Sequence, residues 1–264
     1  MYQKQLLKGK YQYDKNDYLG FGMYTKIYRG VQTDSKIEVG IKKIPLPSLG
    51  LKSQSTNEYD EMIQKVDREI ELLSHNQNYY ENIVQIFDCF RDDRNLYLVM
   101  EFFEEGTLND LIERQKVFTE EQNFEILFQI ILGFLQKKSK NEYLEYGISL
   151  KDIFLKNGVW KLADNAEDRF LGILVEDYEF LRKLKNYEFL APELMNTSAS
   201  RQNLSKDQQY TKSYSWIIGC LCHRLLFGNN WICQKSIDKR IMMKIDEVYE
   251  IPEDVDISGR CTEI

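Results

Sequence analysis

The sequence has few of the residues that build the commonest metal and nucleophile sites. It holds only two histidines, His75 and His223, which are too few and too far apart for a catalytic triad or a metal cluster. Its five cysteines show no metal-ligand spacing, and Cys220 and Cys222 would point to different sides of a helix. We therefore expect a reduced, intracellular protein.

Long apolar runs and an excess of positive charge are also missing. The N-terminal segment MYQKQLLKGK has no apolar signal core, and no stretch reaches the length of a membrane span. The net charge of −7 argues against a generally basic nucleic-acid surface. We therefore expect no membrane and no nucleic-acid partner, and a cytoplasmic or cytoskeleton-associated location.

What the chain does contain is ordinary for a globular protein. Its 264 residues are 43% apolar and 29% charged, so it can bury a sizeable core in one large lobe or two modest ones. Residues 11–44 alternate apolar and polar side chains with two turns, which predicts three antiparallel strands. The segments 82–90 and 95–102 predict two further strands.

A second pattern predicts a β-hairpin with acidic ends. Two short apolar runs, 153–155 and 159–162, are joined through Asn157-Gly158, a pair that readily takes the positive φ angles of a tight turn. Asp152 precedes the first strand and Asp164 follows the second. Two carboxylates at one hairpin end are suitable ligands for Mg²⁺. On these residues alone, a solvated surface hairpin remains the alternative.

Helical patterns separate the strands. Residues 58–74 place apolar side chains on one stripe with Glu69 beside it. Thr119 and Gln122 form a capping box that opens a helix to about Lys138. That helix is apolar over most of its circumference, which predicts a central core helix. Residues 213–227 predict another buried helix.

The order of these features resembles the eukaryotic protein kinase domain. Gly20-x-Gly22 resembles its glycine-rich loop, Val39-Gly40-Ile41-Lys42 its V-A-I-K strand, and Ala191-Pro192-Glu193 its A-P-E motif. The resemblance implies an α+β, bilobal kinase-like fold. Its parts would be a small β-rich N-lobe at 1–101 and a helical C-lobe at 102–264, which lacks its last helices.

The resemblance also implies a nucleotide site with ATP and Mg²⁺ as possible ligands. Lys42 would hold phosphates and pair with Glu69, and Met100 would lie at the back of the adenine pocket. Asp152 and Asp164 would bind the metal. The full set of implied nucleotide-binding residues is Gly20, Gly22, Ile27, Lys42, Glu69, Met100, Glu101, Phe103 and Phe154.

Other positions depart from the family pattern. The position of the catalytic Asp is Gly147, which has no side chain to orient or deprotonate a substrate hydroxyl. Ser149 replaces the loop lysine, Asn186 a substrate-loop threonine, and Tyr214 a bracing Asp. The D-F-G triplet reads Asp164-Asn165-Ala166. These losses fall on cooperating positions, so the resemblance implies a fold whose chemistry has been dismantled.

A further departure concerns switching between active and inactive states. The positions of the family's four-membered apolar stack are Leu73, Ile86, Glu145 and Asn165. Because burying an unpaired carboxylate or amide is costly, we expect Glu145 and Asn165 to take polar partners or water. The expected consequence is one fixed, inactive-like arrangement.

Three functions remain open from the sequence. The first is a pseudokinase, more a scaffold or regulatory protein-binding module than an enzyme, with a protein partner covering the short C-lobe. The second is an active Ser/Thr kinase with a noncanonical catalytic loop, using Glu145 or Asp152 as base. The third is a purely architectural subunit of a large assembly. The opening segment faintly resembles the autophagy-initiating kinase branch.

Overall fold

The computed structural model contains a curled antiparallel sheet, a separate β-hairpin, five α-helices and a short 3-10 helix at Leu150–Asp152 among the residues it describes. The described residues are 4–21, 25–46, 56–75, 79–114, 118–139, 148–164, 166–174, 189, 191 and 206–227.

The large sheet has six strands in the order β1-β2-β3-β4-β6-β5, and every neighbouring pair is antiparallel. The three strands predicted within 11–44 and the two later strands are confirmed. The strand bounds are β1 Lys4–Leu7, β2 Tyr11–Phe21, β3 Lys26–Gln32, β4 Glu38–Pro45, β5 Ile86–Arg91 and β6 Asn95–Glu101.

The edge strand β1 was not expected from the sequence. It pairs with β2 from Lys4 opposite Asp14 to Leu7 opposite Tyr11. The turn between the strands uses positive φ angles at Lys8 (49°) and Gly9 (66°). β1 is only four residues long, and Leu6 within it is exposed. Its sequence lacks the apolar alternation by which strands are recognised.

One face of the sheet is closed by an aromatic core. Tyr13 and Tyr28 have ring centroids 4.9 Å apart, and Phe90 and Tyr97 are stacked at 5.3 Å. The phenol oxygen of Tyr97 donates a hydrogen bond to Asp92 at 2.9 Å. Aromatic pairs at these distances stabilise a fold beyond the area that they bury. The buried cluster consists of Tyr11, Tyr13, Tyr28, Val39, Ile41, Phe90, Tyr97 and Val99.

Cys89 on β5 provides a test of the packing on the other face of the sheet, because it alternates with Phe90 of the aromatic cluster along the strand. Burial, together with the negative charges of Asp88 and Glu69, raises the pKa of its thiol to about 12. Because only the thiolate reacts, we expect iodoacetamide at pH 8 to alkylate Cys89 about a thousandfold more slowly in the folded protein than in urea. Peptide mass spectrometry would measure both rates. Equal rates would show that Cys89 is accessible as a thiolate.

The helices follow the predicted pattern closely. Helix α1 covers the predicted 58–74 segment, and Thr119 and Gln122 make the predicted reciprocal capping bonds, at 2.9 and 3.3 Å, before α3. The helix bounds are α1 Thr56–His75, α2 Leu108–Glu113, α3 Glu120–Ser139, α4 Ala166–Leu174 and α5 Lys206–Phe227.

Helix α3 is not the fully buried core helix that its composition predicts. Phe124, Phe128 and Leu135 are 45%, 57% and 58% exposed. The buried side of α3 faces α5, where the Phe134 ring stacks on Tyr214 at 4.6 Å. The prediction was wrong because a helix packed on one side buries only one stripe, whatever the composition of its other side.

The contacts divide the chain into two compact units, residues 1–111 with 150–186, and residues 112–149 with 187–264. The predicted lobe boundary at 101 and the expected loss of the last helices stay predictions, since the chain beyond 227 lies outside the described residues. Within the described part of the chain, no helix has the length and apolar character needed to cross a membrane.

Candidate functional site

The hairpin of β7 (Ile153–Lys156) and β8 (Val159–Leu162) places the two predicted metal ligands together. Its turn has φ angles of 52° at Asn157 and 80° at Gly158, as the sequence predicts. At the open end, the N–H of Ala163 donates to the Asp152 carbonyl at 2.7 Å. Asp152 and Asp164 therefore flank the same end of the hairpin.

Three predicted residues line up across the sheet beside this end. Gly20 lies opposite Ile27, and Ile27 lies opposite Lys42, in adjacent strands of the sheet. This ladder leads from Gly20 to Lys42, as the resemblance implies. Gly22, the second glycine of the turn, lies outside the described residues.

Lys42 is paired with a carboxylate that the sequence analysis did not select. Its Nζ lies 2.5 Å from Glu167 Oε2, and both side chains are mostly buried, at 18% and 19% exposed. Glu69 instead forms an ion pair with Arg169, whose Nε lies 2.8 Å from Glu69 Oε1. The predicted Lys42–Glu69 pair is therefore wrong for this structure, because each partner is bound by a residue of α4.

Helix α4 begins at Ala166, the last residue of the triplet that aligns with D-F-G. Asp164 Oδ1 accepts the N–H of Ala166 at 2.7 Å, which caps the first turn of the helix. Ala166, at the position of the triplet's glycine, is buried and favours helix where glycine would oppose it. Phe170, Leu171 and Leu174 bury the apolar side of α4, which packs against α1. The triplet thus starts a helix instead of a loop.

The charge on Lys42 results from opposing effects. Burial acts to lower its pKa, but the carboxylates of Glu167, Asp152 and Asp164 outweigh burial, and the pKa is raised. Lys42 is therefore an ammonium group at neutral pH, held among three carboxylates. A phosphate group that bound Lys42 would have to compete with Glu167.

The donor set at the hairpin end fits Mg²⁺ in one specific way. Among the described residues, no group of three or more His, Cys, Asp or Glu side chains could hold a metal ion. Mg²⁺ is usually held by one or two carboxylates together with phosphate oxygens and water. Asp152 and Asp164 fit that pattern, so they would bind the metal together with the phosphates of a nucleotide.

The strand that would hold the base is closely packed. A Cβ on Gly40 would lie 3.4 Å from Met100 Cε and 3.3 Å from the Glu101 carbonyl oxygen. The Met100 side chain therefore lies against β4 at Gly40, where the V-A-I-K pattern has alanine. This contact places Met100 beside the strand of Lys42, as the resemblance implies.

Glu101 serves structure through its side chain. The carboxylate is almost fully buried and accepts the Lys161 ammonium at 3.1 Å and the Gln85 N–H at 2.7 Å. A second ammonium, of Lys156, lies 3.6 Å away. Because the side chain is bound in this way, any nucleotide contact made by Glu101 would come from its main chain. The ion pair also fastens the hairpin to the end of β6.

The remaining two predicted pocket residues contact each other. The rings of Phe103 and Phe154 are stacked with centroids 4.7 Å apart. Phe154 also forms a bridge with Thr107, and Gly106, with a φ of 82°, lies in the turn between Phe103 and Thr107. The segment after β6 is thus attached to β7, and the two rings form an apolar surface next to it.

Residues 13–263 match the family model described as "Protein kinase domain". The chain belongs to the protein kinase family. The bilobal α+β kinase fold expected from the sequence is thereby confirmed.

Relatives of this kinase domain include "Serine/threonine-protein kinase PLK4" of Xenopus tropicalis, 25% identical over 89% of this chain and 23% of the relative. "Serine/threonine-protein kinase plk-1" of Caenorhabditis elegans is 26% identical over 93% of this chain and 34% of the relative. The chain thus spans about a quarter to a third of their length. Neither relative is named for the autophagy-initiating branch, so that placement stays a prediction.

Two site residues, Glu167 and Arg169, were missed by the sequence analysis. Their signal was present, since Asp164 is a good N-cap and the apolar residues of α4 recur at helical spacing. Gly147, Glu145, Asn165 and Asn186 lie outside the described residues, so the predictions made for them stay predictions. Leu73 and Ile86, the two apolar positions of the stack, are each half-buried.

Proposed function

We propose that this kinase domain is a pseudokinase, a protein-binding module that binds Mg-ATP weakly and does not transfer phosphate efficiently. The observation that carries the proposal is the exchange of ion pairs, in which Lys42 binds Glu167 and Glu69 binds Arg169. An active kinase needs the lysine and the helix glutamate paired with each other, so that the lysine can hold phosphates. Gly147 supports the same proposal by leaving no catalytic carboxylate.

The role of such a module would be to scaffold or regulate a protein partner, in the cytoplasm or on the cytoskeleton. The site supports a nucleotide as a structural ligand. Burial acts to lower the pKa of Lys42, but nearby carboxylates, Asp152 and Asp164 among them, raise it. Lys42 is therefore charged. If these residues bind no nucleotide, the remaining role is that of a purely architectural subunit.

A second candidate, an active Ser/Thr kinase, is favoured by the relatives, which are named serine/threonine-protein kinases. In that case another carboxylate must replace the missing Asp. Of the two alternatives, Glu145 and Asp152, only Asp152 lies in the described residues. Such a base contributes about 10²–10⁴ in rate. The two candidates differ in Lys42-dependent phosphotransfer, not in nucleotide binding.

The deciding experiment is thermal unfolding with and without Mg-ATP, followed by a phosphotransfer assay. Ligand at about a hundred times its Kd stabilises a fold by about 2.7 kcal/mol, so we expect a raised midpoint in the wild type. Lys42→Met should lose the shift, and Lys4→Met, which changes an exposed lysine of β1, should keep it.

Three outcomes separate the candidates. A Lys42-dependent shift without phosphotransfer above the Lys42→Met background supports the pseudokinase. Phosphotransfer that Lys42→Met abolishes would instead support the active kinase. No shift at millimolar Mg-ATP would contradict both and leave the architectural role.

A further inference from the structure

Helix α3 carries an apolar stripe on the side away from its own core. Phe124, Phe128 and Leu135 are each about half exposed, and Ile131 between them is partly buried. These four residues are called the α3 stripe below. Large apolar side chains grouped on one exposed surface mark an interaction site more often than isolated ones do.

The core side of α3 does not need this stripe. Ile126, Ile130 and Phe134 are buried, and the Phe134 ring stacks on Tyr214 of α5 with the two planes 5° apart. Ile126 and Ile130 lie about 100° or more around the helix from each stripe residue, and Phe134 lies about 60° from Ile131, at 100° per residue. The stripe is thus a second apolar surface on a helix that is already packed.

The spacing of the stripe is that of a helix-pairing seam. Its members are separated by four, three and four residues, which is the alternation of a and d positions in a heptad. The four members span about 60° around the helix, and the partly buried Leu132 lies about 40° beyond Phe128. This spacing favours another helix as the occupant.

The charges at the two ends of α3 favour a second copy of the same helix, and Lys138 also donates a hydrogen bond to Thr211 of α5 at 3.3 Å. Glu120 and Glu121 lie in its first turn, and Lys138 lies in its last. Glu120 and Lys138 fall on the same side of the stripe and at nearly equal distances from its centre, between Phe128 and Ile131. In an antiparallel pair related by a two-fold axis, the same flanks meet, so each Glu120 would face Lys138 of the second copy. The helix is therefore complementary to itself.

We propose that two copies of this chain associate through the α3 stripe, with their α3 helices antiparallel about a two-fold axis. Phe124 packs against Leu135 of the second copy, and Phe128 packs against Ile131 of the second copy. Such an interface is isologous, so each contact occurs twice. Because only four apolar side chains per copy take part, it is smaller than a standard interface of about 1,600 Å², and the dimer is weak.

The first test is sedimentation velocity of the purified chain between about 1 and 200 µM, where a weak dimer forms reversibly. We expect the wild type to shift from monomer to dimer across this range. Phe128→Glu should weaken association at least tenfold, because it places a carboxylate in the seam. Leu72→Glu is the matched control, since Leu72 is 65% exposed on α1 and lies outside the stripe.

Charge reversal tests the antiparallel arrangement. Glu120→Lys and Lys138→Glu should each weaken the dimer, and the double variant should recover most of the loss, because each new pair again joins opposite charges. Unchanged circular dichroism would show that the variants fold. A wild type that stays monomeric up to 200 µM, an equal effect of Leu72→Glu, or a double variant no better than the singles would overturn the proposal.

Discussion

Replacing Glu167 by glutamine is expected to tighten Mg-ATP binding about tenfold. In the structure the Lys42 ammonium donates a hydrogen bond to Glu167 Oε2 at 2.5 Å. The same ammonium is the group that would hold nucleotide phosphates. A hydrogen bond between charged groups contributes about 1.5–3 kcal/mol, and the partial exposure of this pair favours the lower end. About 1.4 kcal/mol corresponds to a factor of ten in affinity.

The measurement is a calorimetric or thermal-shift titration of wild type and variant with Mg-ATP. Glu61→Gln is the matched control, because it makes the same change of charge on the exposed side of α1. The control should bind as the wild type does. A Glu167→Gln affinity equal to that of the wild type, with Lys42→Met still abolishing binding, would show that Glu167 does not compete with phosphate.

Replacing Glu101 by glutamine is expected to destabilise the fold by about 3–5 kcal/mol, the usual effect of breaking a buried ion pair. The Lys161 side chain is 5% exposed and lies 3.1 Å from Glu101. Without the carboxylate, this ammonium would be buried with its main anionic partner removed. The glutamine oxygen still accepts the Gln85 N–H, so the loss reports on the ion pair. Urea unfolding of wild type and variant measures the change.

A double variant distinguishes the ion pair from other effects at this position. Glu101→Gln with Lys161→Met removes both charges and should recover a large part of the stability, since apolar replacements of buried pairs are often tolerated. Glu38→Gln is the control for an exposed pair, because Arg29 and Glu38 are each more than 40% exposed. It should change the free energy of unfolding by less than about 1 kcal/mol. A Glu101→Gln variant as stable as this control would contradict the prediction.

Both predictions concern ion pairs in the unit that contains the sheet and the hairpin, but the pairs act differently. The Glu101–Lys161 pair is nearly dry and joins β6 to β8, so its removal is expressed as lost stability. The Lys42–Glu167 pair is more exposed and involves a residue that a ligand needs. Its removal is therefore expressed in binding. Measuring both variants in both assays would separate the two roles.

Local patterns allowed much of the fold to be predicted. Asn157-Gly158 specified a tight turn, Thr119 and Gln122 specified the start of α3, and alternation specified β2 to β4. Each of these signals acts between residues close in the chain, where backbone preference and hydrogen bonding are decided locally. The kinase family also followed from the order of such motifs, and the match over residues 13–263 confirms it.

The exposure of α3 could not be predicted in the same way. Its composition allowed burial on every side, but only the position of α5 determines which side is covered. Phe124 and Phe128 are therefore indistinguishable from core residues until the packing is known. Burial is a property of the neighbours that a side chain finds, and those neighbours lie far away in the chain.

The sequence by itself determined which ionic groups this protein has at its candidate site and that Gly147 stands where the resemblance implies an Asp. Only the tertiary structure decided how those groups are paired. Lys42 and Glu167 are 125 residues apart, and they meet because α4 forms and packs on α1. An ammonium group binds whichever carboxylate the packing brings nearest, so the Lys42–Glu69 pair that the motifs implied gave way to the pair that α4 supplies.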